Sequence, residues 1–183
     1  MTHEAAASQG SASNDEDPSS RAVDRLYLDA AYDQAEKGLH RVTWNNPRVG
    51  CLIVRNAQVI GRGYHAKDGG PHAEVEALAD AAPESTQGAT AYVTLEPCCW
   101  EGRTPACTGA LIKAGVTRVV IGDRDRHPHV DGGGVKALQD AGIEVVEIPH
   151  PRAAGLNPGH AKRQVTKRPF VRIKTAISID GRT

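Results

Sequence analysis

Three side chains suited to one metal ion are His72 and, 26 and 35 residues further on, Cys98 and Cys107, and a fold that unites them is the tightest constraint the chain carries. Each stands beside residues that fix local geometry. His72 precedes Ala73 and Glu74 at the start of a stretch with helical spacing, so a first turn directs an imidazole and a carboxylate toward one point. Pro97 and Cys98 follow an apolar run that reads as a buried strand. Cys107 falls in the first turn of a helix that Thr104 and Pro105 open as N-cap and N1, where the positive end of the helix dipole favours a thiolate.

The surrounding pattern predicts the scaffold. A helix is expected over residues 21–37, with Val23, Leu26, Tyr27, Ala30 and Ala31 on one face and Gly38 just past its end. Residues 49–54 and 59–64 read as two strands joined by a turn at Asn56. Residues 72–80 read as a short helix with Val75 and Leu78 inward, 91–95 as a buried strand, 104–114 as a helix and 118–121 as a strand. The glycines 132–134 lead into a helix ending near Ala141, and residues 144–148 form another strand. The glycine run reads as an ordinary turn, with a phosphate cradle as the weaker alternative. Alternating helix and strand implies a sheet with helices on both faces.

Four segments follow from this reading. Residues 1–20 lack periodicity and are expected to be a disordered tail, and residues 21–149 form the main domain. Residues 150–169, with Pro151, Pro158, Pro169 and several cations, read as a linker with at most one weak helix. Residues 170–183 carry Val171, Ile173 and Ala176 in alternation and are expected to hold a single strand.

Composition narrows the partners. Lys and Arg number 22 against 22 Asp and Glu, so the basic excess of a nucleic-acid binder is missing, and 4% aromatic content leaves no surface for stacking bases. No run approaches the roughly 18 apolar residues of a membrane span. The opening stretch, with Asp15, Glu16 and Asp17, is neither a signal nor a transit peptide. A cytoplasmic protein with a small-molecule partner, no nucleic acid and no membrane is expected, and the sequence is compatible with a homo-oligomer. In a reducing compartment, Cys98, Cys99 and Cys107 in one segment point to metal or catalysis rather than a disulfide.

The donor set fits a zinc deaminase, which needs three protein ligands, one open position and a carboxylate that is not a ligand. Glu74 fills the last role, moving a proton from water to the departing ammonia. A purely structural zinc would call for a fourth protein ligand, and Cys99, adjacent to Cys98, points elsewhere; Cys51 and Cys99 read as small core residues. The generic signature spaces its cysteines C-x-x-C, whereas eight residues separate Cys98 from Cys107.

That long gap accompanies further motifs: Asn46-Pro47-Arg48-Val49-Gly50, Gly63-Tyr64-His65, Gly70-Pro71-His72-Ala73-Glu74, Thr94-Leu95-Glu96-Pro97-Cys98, and Gly102-Arg103-Thr104-Pro105 with Cys107. Together they resemble the deaminase domain of the bacterial riboflavin-biosynthesis bifunctional deaminase-reductase, over residues 21–183. The resemblance implies a three-layer α/β/α cytidine-deaminase-like fold with a mixed sheet. It also implies zinc-dependent conversion of 2,5-diamino-6-(5-phosphoribosylamino)pyrimidin-4(3H)-one to 5-amino-6-(5-phosphoribosylamino)uracil. Carried over by position, the zinc ligands are His72, Cys98 and Cys107, the proton shuttle is Glu74, and substrate contacts fall on Asn46, His65, Arg103 and Asp125. The family commonly has His where this chain has Trp100 and Asn where it has His127; stacking by Trp100 and hydrogen bonding by His127 are the expected replacements.

The segment from Arg168 to Lys174 and from Ser178 to Arg182 resembles the opening strand of the same family's NADPH-dependent reductase domain. Residues 170–183 are too few for a nicotinamide-binding sheet, so the chain is expected to deaminate and not to reduce, NADPH being required only by a complete reductase domain. Two competing readings are a deaminase of another base, such as a tRNA adenosine or free guanine, and a non-catalytic zinc-binding remnant.

Overall fold

Strands β1 (Gly50–Arg55) and β2 (Gln58–Tyr64) form an antiparallel hairpin around which the sheet is organised. Its two-residue turn places Asn56 and Ala57 at φ 50° and 59°, the backbone twist a tight hairpin requires. The structure, a computed structural model, describes residues 18–38, 46–100, 105–128, 130–178 and 180–181. On its other side β1 pairs antiparallel with β3 (Thr90–Val93), after which β4 (Arg118–Ile121) and β5 (Glu144–Glu147) add in parallel, giving the order β2-β1-β3-β4-β5.

Side chains alternate across this mixed sheet, and both faces are covered. Cys51, Ile53, Ala91, Val93, Val119 and Ile121 pack with Ala73 and Ala77 of α2 (Ala73–Asp80), Leu111 of α3 (Cys107–Lys113), and Val135 and Leu138 of α4 (Gly133–Asp140). On the opposite face Leu52, Val54, Tyr92, Val120 and Val146 pack with Leu28 and Ala31 of α1 (Pro18–Glu36). The three-layer α/β/α arrangement expected from the sequence is therefore present.

Four details differ from the sequence reading. Helix α1 begins at Pro18, inside the stretch assigned to the tail; residues 1–17 lie outside the described residues. Its inward face is Asp24, Leu28, Ala31, Tyr32 and Ala35, whereas Val23 and Leu26 are 48% and 68% exposed. The cause is a buried ion pair: Arg118 on β4 donates from Nη1 and Nη2 to the two Asp24 oxygens at 2.8 Å each, and the Tyr92 hydroxyl donates to Asp24 Oδ1 at 2.9 Å. Helix α3 starts at Cys107, with Ala106 at its N-cap position, two residues later than the Thr104-Pro105 pair suggested.

The segment assigned to a linker contains two helices, α5 (Ala153–Leu156) and α6 (Pro158–Thr166). Leu156 is buried against Tyr32 and Ala35 of α1. Asn157 locks the same point: its Oδ1 accepts from the Arg48 backbone N–H at 2.7 Å and its Nδ2 donates to the Arg48 carbonyl at 2.8 Å. Residues 169–178 form no strand, and Val171, Ile173 and Ile177 are exposed, with no described strand paired to them. Among the described residues no helix is long and apolar enough to cross a membrane.

Candidate metal centre and active site

Glycines on β2 set the position of α2, and through it the position of His72 and Glu74. A Cβ on Gly63 would lie 2.2 Å from the Ala73 carbonyl oxygen and 2.3 Å from the Ala77 nitrogen, and one on Gly61 would lie 2.1 Å from the Ala77 oxygen. Helix and strand backbones thus touch, as only glycine permits. His72 occupies the N-cap position of α2 in extended conformation, and Glu74 is the second residue of the helix.

The two cysteines arrive from the other side. Cys98 lies in the loop after β3, and Cys107 opens α3, where its backbone N–H donates to Cys98 Sγ at 3.4 Å. Buried Glu96 holds the start of that loop: Oε2 accepts from Gly132 N at 3.1 Å and Oε1 from Val135 N at 3.1 Å. The glycine turn weighed as a phosphate cradle is therefore filled by the protein's own carboxylate. Gly134 makes the fit possible, since a Cβ there would lie 2.1 Å from the Pro97 carbonyl oxygen.

The ligand atoms converge. His72 Nδ1 lies 3.1 Å from Cys107 Sγ and 3.5 Å from Cys98 Sγ, and all three donor atoms lie within 4.8 Å of one another. Tetrahedral zinc with Zn–N near 2.1 Å and Zn–S near 2.3 Å separates its ligand atoms by about 3.5–3.8 Å, so this donor set fits with small adjustments. Cys51 is buried in the core beneath α2, as expected of a small apolar residue. Cys99 is half-buried, outside the ligand trio, with its Sγ 2.9 Å from where a Cβ of Gly133 would stand.

Electrostatics follow from this packing. Burial pushes the Glu74 carboxyl up to about 7, and the negative charge of Cys98 adds to the effect. Cys98 is held well below the ordinary thiol range, first by the hydrogen bond donated from Cys107 and then by His72; Cys107, as donor, is pushed up. A buried carboxyl beside these donor atoms is placed to take up and return a proton.

A cleft of about 390 Å³ opens over these groups. Of the substrate contacts expected from the sequence, Asn46, His65, Asp125, Trp100 and His127 all line it, while Arg103 lies outside the described residues. Trp100 is 58% exposed at the cleft rather than filling core. His65 Nδ1 lies 3.0 Å from the Pro71 carbonyl and Nε2 lies 3.4 Å from Asn46 Nδ2, so the proton belongs on Nδ1 and Nε2 accepts. Asn46 Nδ2 also donates to Asp68 Oδ1 at 2.6 Å. Asp125 Oδ1 accepts from the His127 backbone N–H at 2.9 Å and faces His160 Nε2 at 3.1 Å. Sequence reasoning missed His160, Arg163 and Gln164 of α6, which form part of the cleft wall. The cationic character of 150–169 is the one available signal, and it matches linker composition equally well.

Comparison with known proteins agrees with this geometry. Residues 21–123 match the family model described as cytidine and deoxycytidylate deaminase zinc-binding region. The riboflavin biosynthesis protein RibD of Haemophilus influenzae is 48% identical over 161 residues, covering 87% of this chain and 43% of that protein. RibD of Acinetobacter baumannii superposes with a TM-score of 0.82 at 50% identity, over 88% of this chain and 45% of the other. A Thermotoga maritima diaminohydroxyphosphoribosylaminopyrimidine deaminase/5-amino-6-(5-phosphoribosylamino)uracil reductase gives 0.80 at 39% identity, over 88% and 46%. The chain spans less than half the length of each of these relatives.

Proposed function

The chain belongs to the cytidine and deoxycytidylate deaminase family, a zinc-binding family, and from that premise we propose that it hydrolytically deaminates 2,5-diamino-6-(5-phosphoribosylamino)pyrimidin-4(3H)-one to 5-amino-6-(5-phosphoribosylamino)uracil. The observation that carries this reading is the convergence of His72, Cys98 and Cys107 beside a buried carboxyl that is not one of the three ligands. The substrate choice is supported by the likeness to the RibD proteins, one of whose solved relatives is named for this reaction.

His72 Nδ1, Cys98 Sγ and Cys107 Sγ would hold the zinc, which would supply the Lewis acidity that makes water nucleophilic near neutral pH. Glu74 takes a proton from the attacking water and delivers it to the amino group leaving the ring carbon. One C–O bond forms, one C–N bond breaks, and ammonia departs with the shuttled proton. His65, with Nδ1 committed to Pro71, presents Nε2 toward the cleft beside Asn46, and Asp125 with its His127 N–H contact forms the facing wall. Trp100 offers an exposed ring for stacking on the pyrimidine. The cytoplasm is the proposed compartment, in keeping with cysteines that are all free among the described residues.

The test combines metal analysis with ammonia release from the ribotide. The expected result is one zinc per chain and turnover, with Glu74→Gln retaining zinc and fold while losing on the order of a hundredfold or more in rate. A zinc-loaded wild-type protein that releases no ammonia from this substrate rejects the assignment, and near-normal turnover by Glu74→Gln rejects the shuttle.

A further inference from the structure

Helix α6 is a wall of the active-site cleft, and its placement is enforced from three directions. Asn157, at its N-cap position, makes two hydrogen bonds to the backbone of Arg48, which follows the cleft-lining Asn46 and Pro47 in sequence. The Arg48 guanidinium bonds the Leu156 carbonyl, just ahead of the helix. Within the helix, His160 Nε2 meets Asp125 Oδ1 at 3.1 Å. A helix pinned in this way presents its cleft-facing side chains at fixed positions.

The cleft has a direction. Glu74 lies buried at one end, while Trp100 and Arg163 are exposed at the mouth. A phosphoribosyl pyrimidine that places its amino-bearing carbon at Glu74 must send its phosphate toward the mouth. The described lining carries the carboxylates Asp68, Glu74, Glu96 and Asp125, a field that disfavours a phosphate dianion unless a cation stands close to it. Among the described lining residues, Arg163 is the one that is Arg or Lys. Its planar guanidinium is matched to phosphate oxygens in a way a half-buried histidine is not.

We propose that Arg163 is a phosphate-binding residue of this cleft, held at its mouth by the Asn157–Arg48 and His160–Asp125 contacts, so that the deaminating unit extends through α6. The proposal deepens the reading that the substrate is a phosphorylated pyrimidine and rests on it.

Ribose 5-phosphate is the probe, titrated calorimetrically into the zinc-loaded full chain and its Arg163→Gln and Arg163→Lys variants. Arg163 is exposed, so neither change threatens the fold. The expected result is binding by wild type, a loss of about tenfold or more in Arg163→Gln, and partial recovery in Arg163→Lys, as for a charge-assisted contact. No binding by wild type, or equal binding by Arg163→Gln, overturns the proposal. Ammonia release from the ribotide is measured in parallel: Arg163→Gln should raise KM while leaving kcat nearly unchanged. A chain that holds ribose 5-phosphate through Arg163 yet deaminates no ribotide rejects the substrate reading while supporting the phosphate contact, so the two failures are distinct.

Discussion

Replacing Glu96 tests how the Cys98 loop is held. The side chain is buried, and its two oxygens accept from Gly132 N and Val135 N, each at 3.1 Å. Hydrogen bonds to a carboxylate are worth about 1.5–3 kcal/mol each when the partner is removed, and Glu96→Ala leaves two backbone N–H groups at the head of α4 without acceptors. A loss of about 3–6 kcal/mol follows. Glu96→Gln keeps the volume but offers one carbonyl oxygen; its amide nitrogen is pressed against the second N–H, donor to donor. Its cost should fall between wild type and alanine, at about 2–3 kcal/mol.

Urea unfolding of the zinc-loaded protein reads these values directly, and for a chain of this size the alanine variant should melt about 10 °C lower. The order wild type, Gln, Ala is the diagnostic feature, because a cavity alone would leave Gln close to wild type. A loss below about 1 kcal/mol in Glu96→Ala, or a Glu96→Gln protein as stable as wild type, would refute the clamp. Zinc affinity should fall in the same order, since Cys98 is two residues from the clamped carboxylate.

Asp24→Asn should cost about 3 kcal/mol in urea unfolding, because it breaks the bidentate pair with Arg118 and leaves a half-buried guanidinium without that partner. Gly63→Ala should displace α2 from β2, since its Cβ meets backbone atoms at 2.2 and 2.3 Å, and a competition assay with a chelator should show weaker zinc binding than in wild type. Deleting residues from Arg168 onward removes exposed apolar side chains that touch no strand, and should leave zinc content and ammonia release intact while improving solubility. Deleting from His150 onward removes α6 and should abolish turnover at substrate concentrations that saturate the wild type.

The sheet and the metal centre were legible because each rests on a local signal. Continuous apolar runs mark β1, β3 and β4 as strands covered on both faces, and His72, Glu74, Cys98 and Cys107 are residue types whose chemistry survives in any context. The face of α1 was read wrongly for the opposite reason. An aspartate in a helix scores as solvent-facing until a half-buried arginine from a strand 94 residues away is known to meet it, and the helix rotates to bury Asp24 rather than Leu26.

The same blindness explains α6. Prolines at positions 151, 158 and 169 with interspersed cations describe a linker by composition, yet Pro158 stands at the first turn of a helix, where its missing N–H costs nothing. What turns that segment into a cleft wall is a pair of hydrogen bonds between the Asn157 amide and the backbone of Arg48, and an amide that recognises backbone leaves no pattern in the side chains it pairs with. Polar anchors of this kind, Glu96 on Gly132 and Val135 and Asn157 on Arg48, join the candidate metal ligands to the outer wall of the cleft. The centre of the site is therefore written in its residue types, whereas its walls are written in contacts that exist only once the chain has folded.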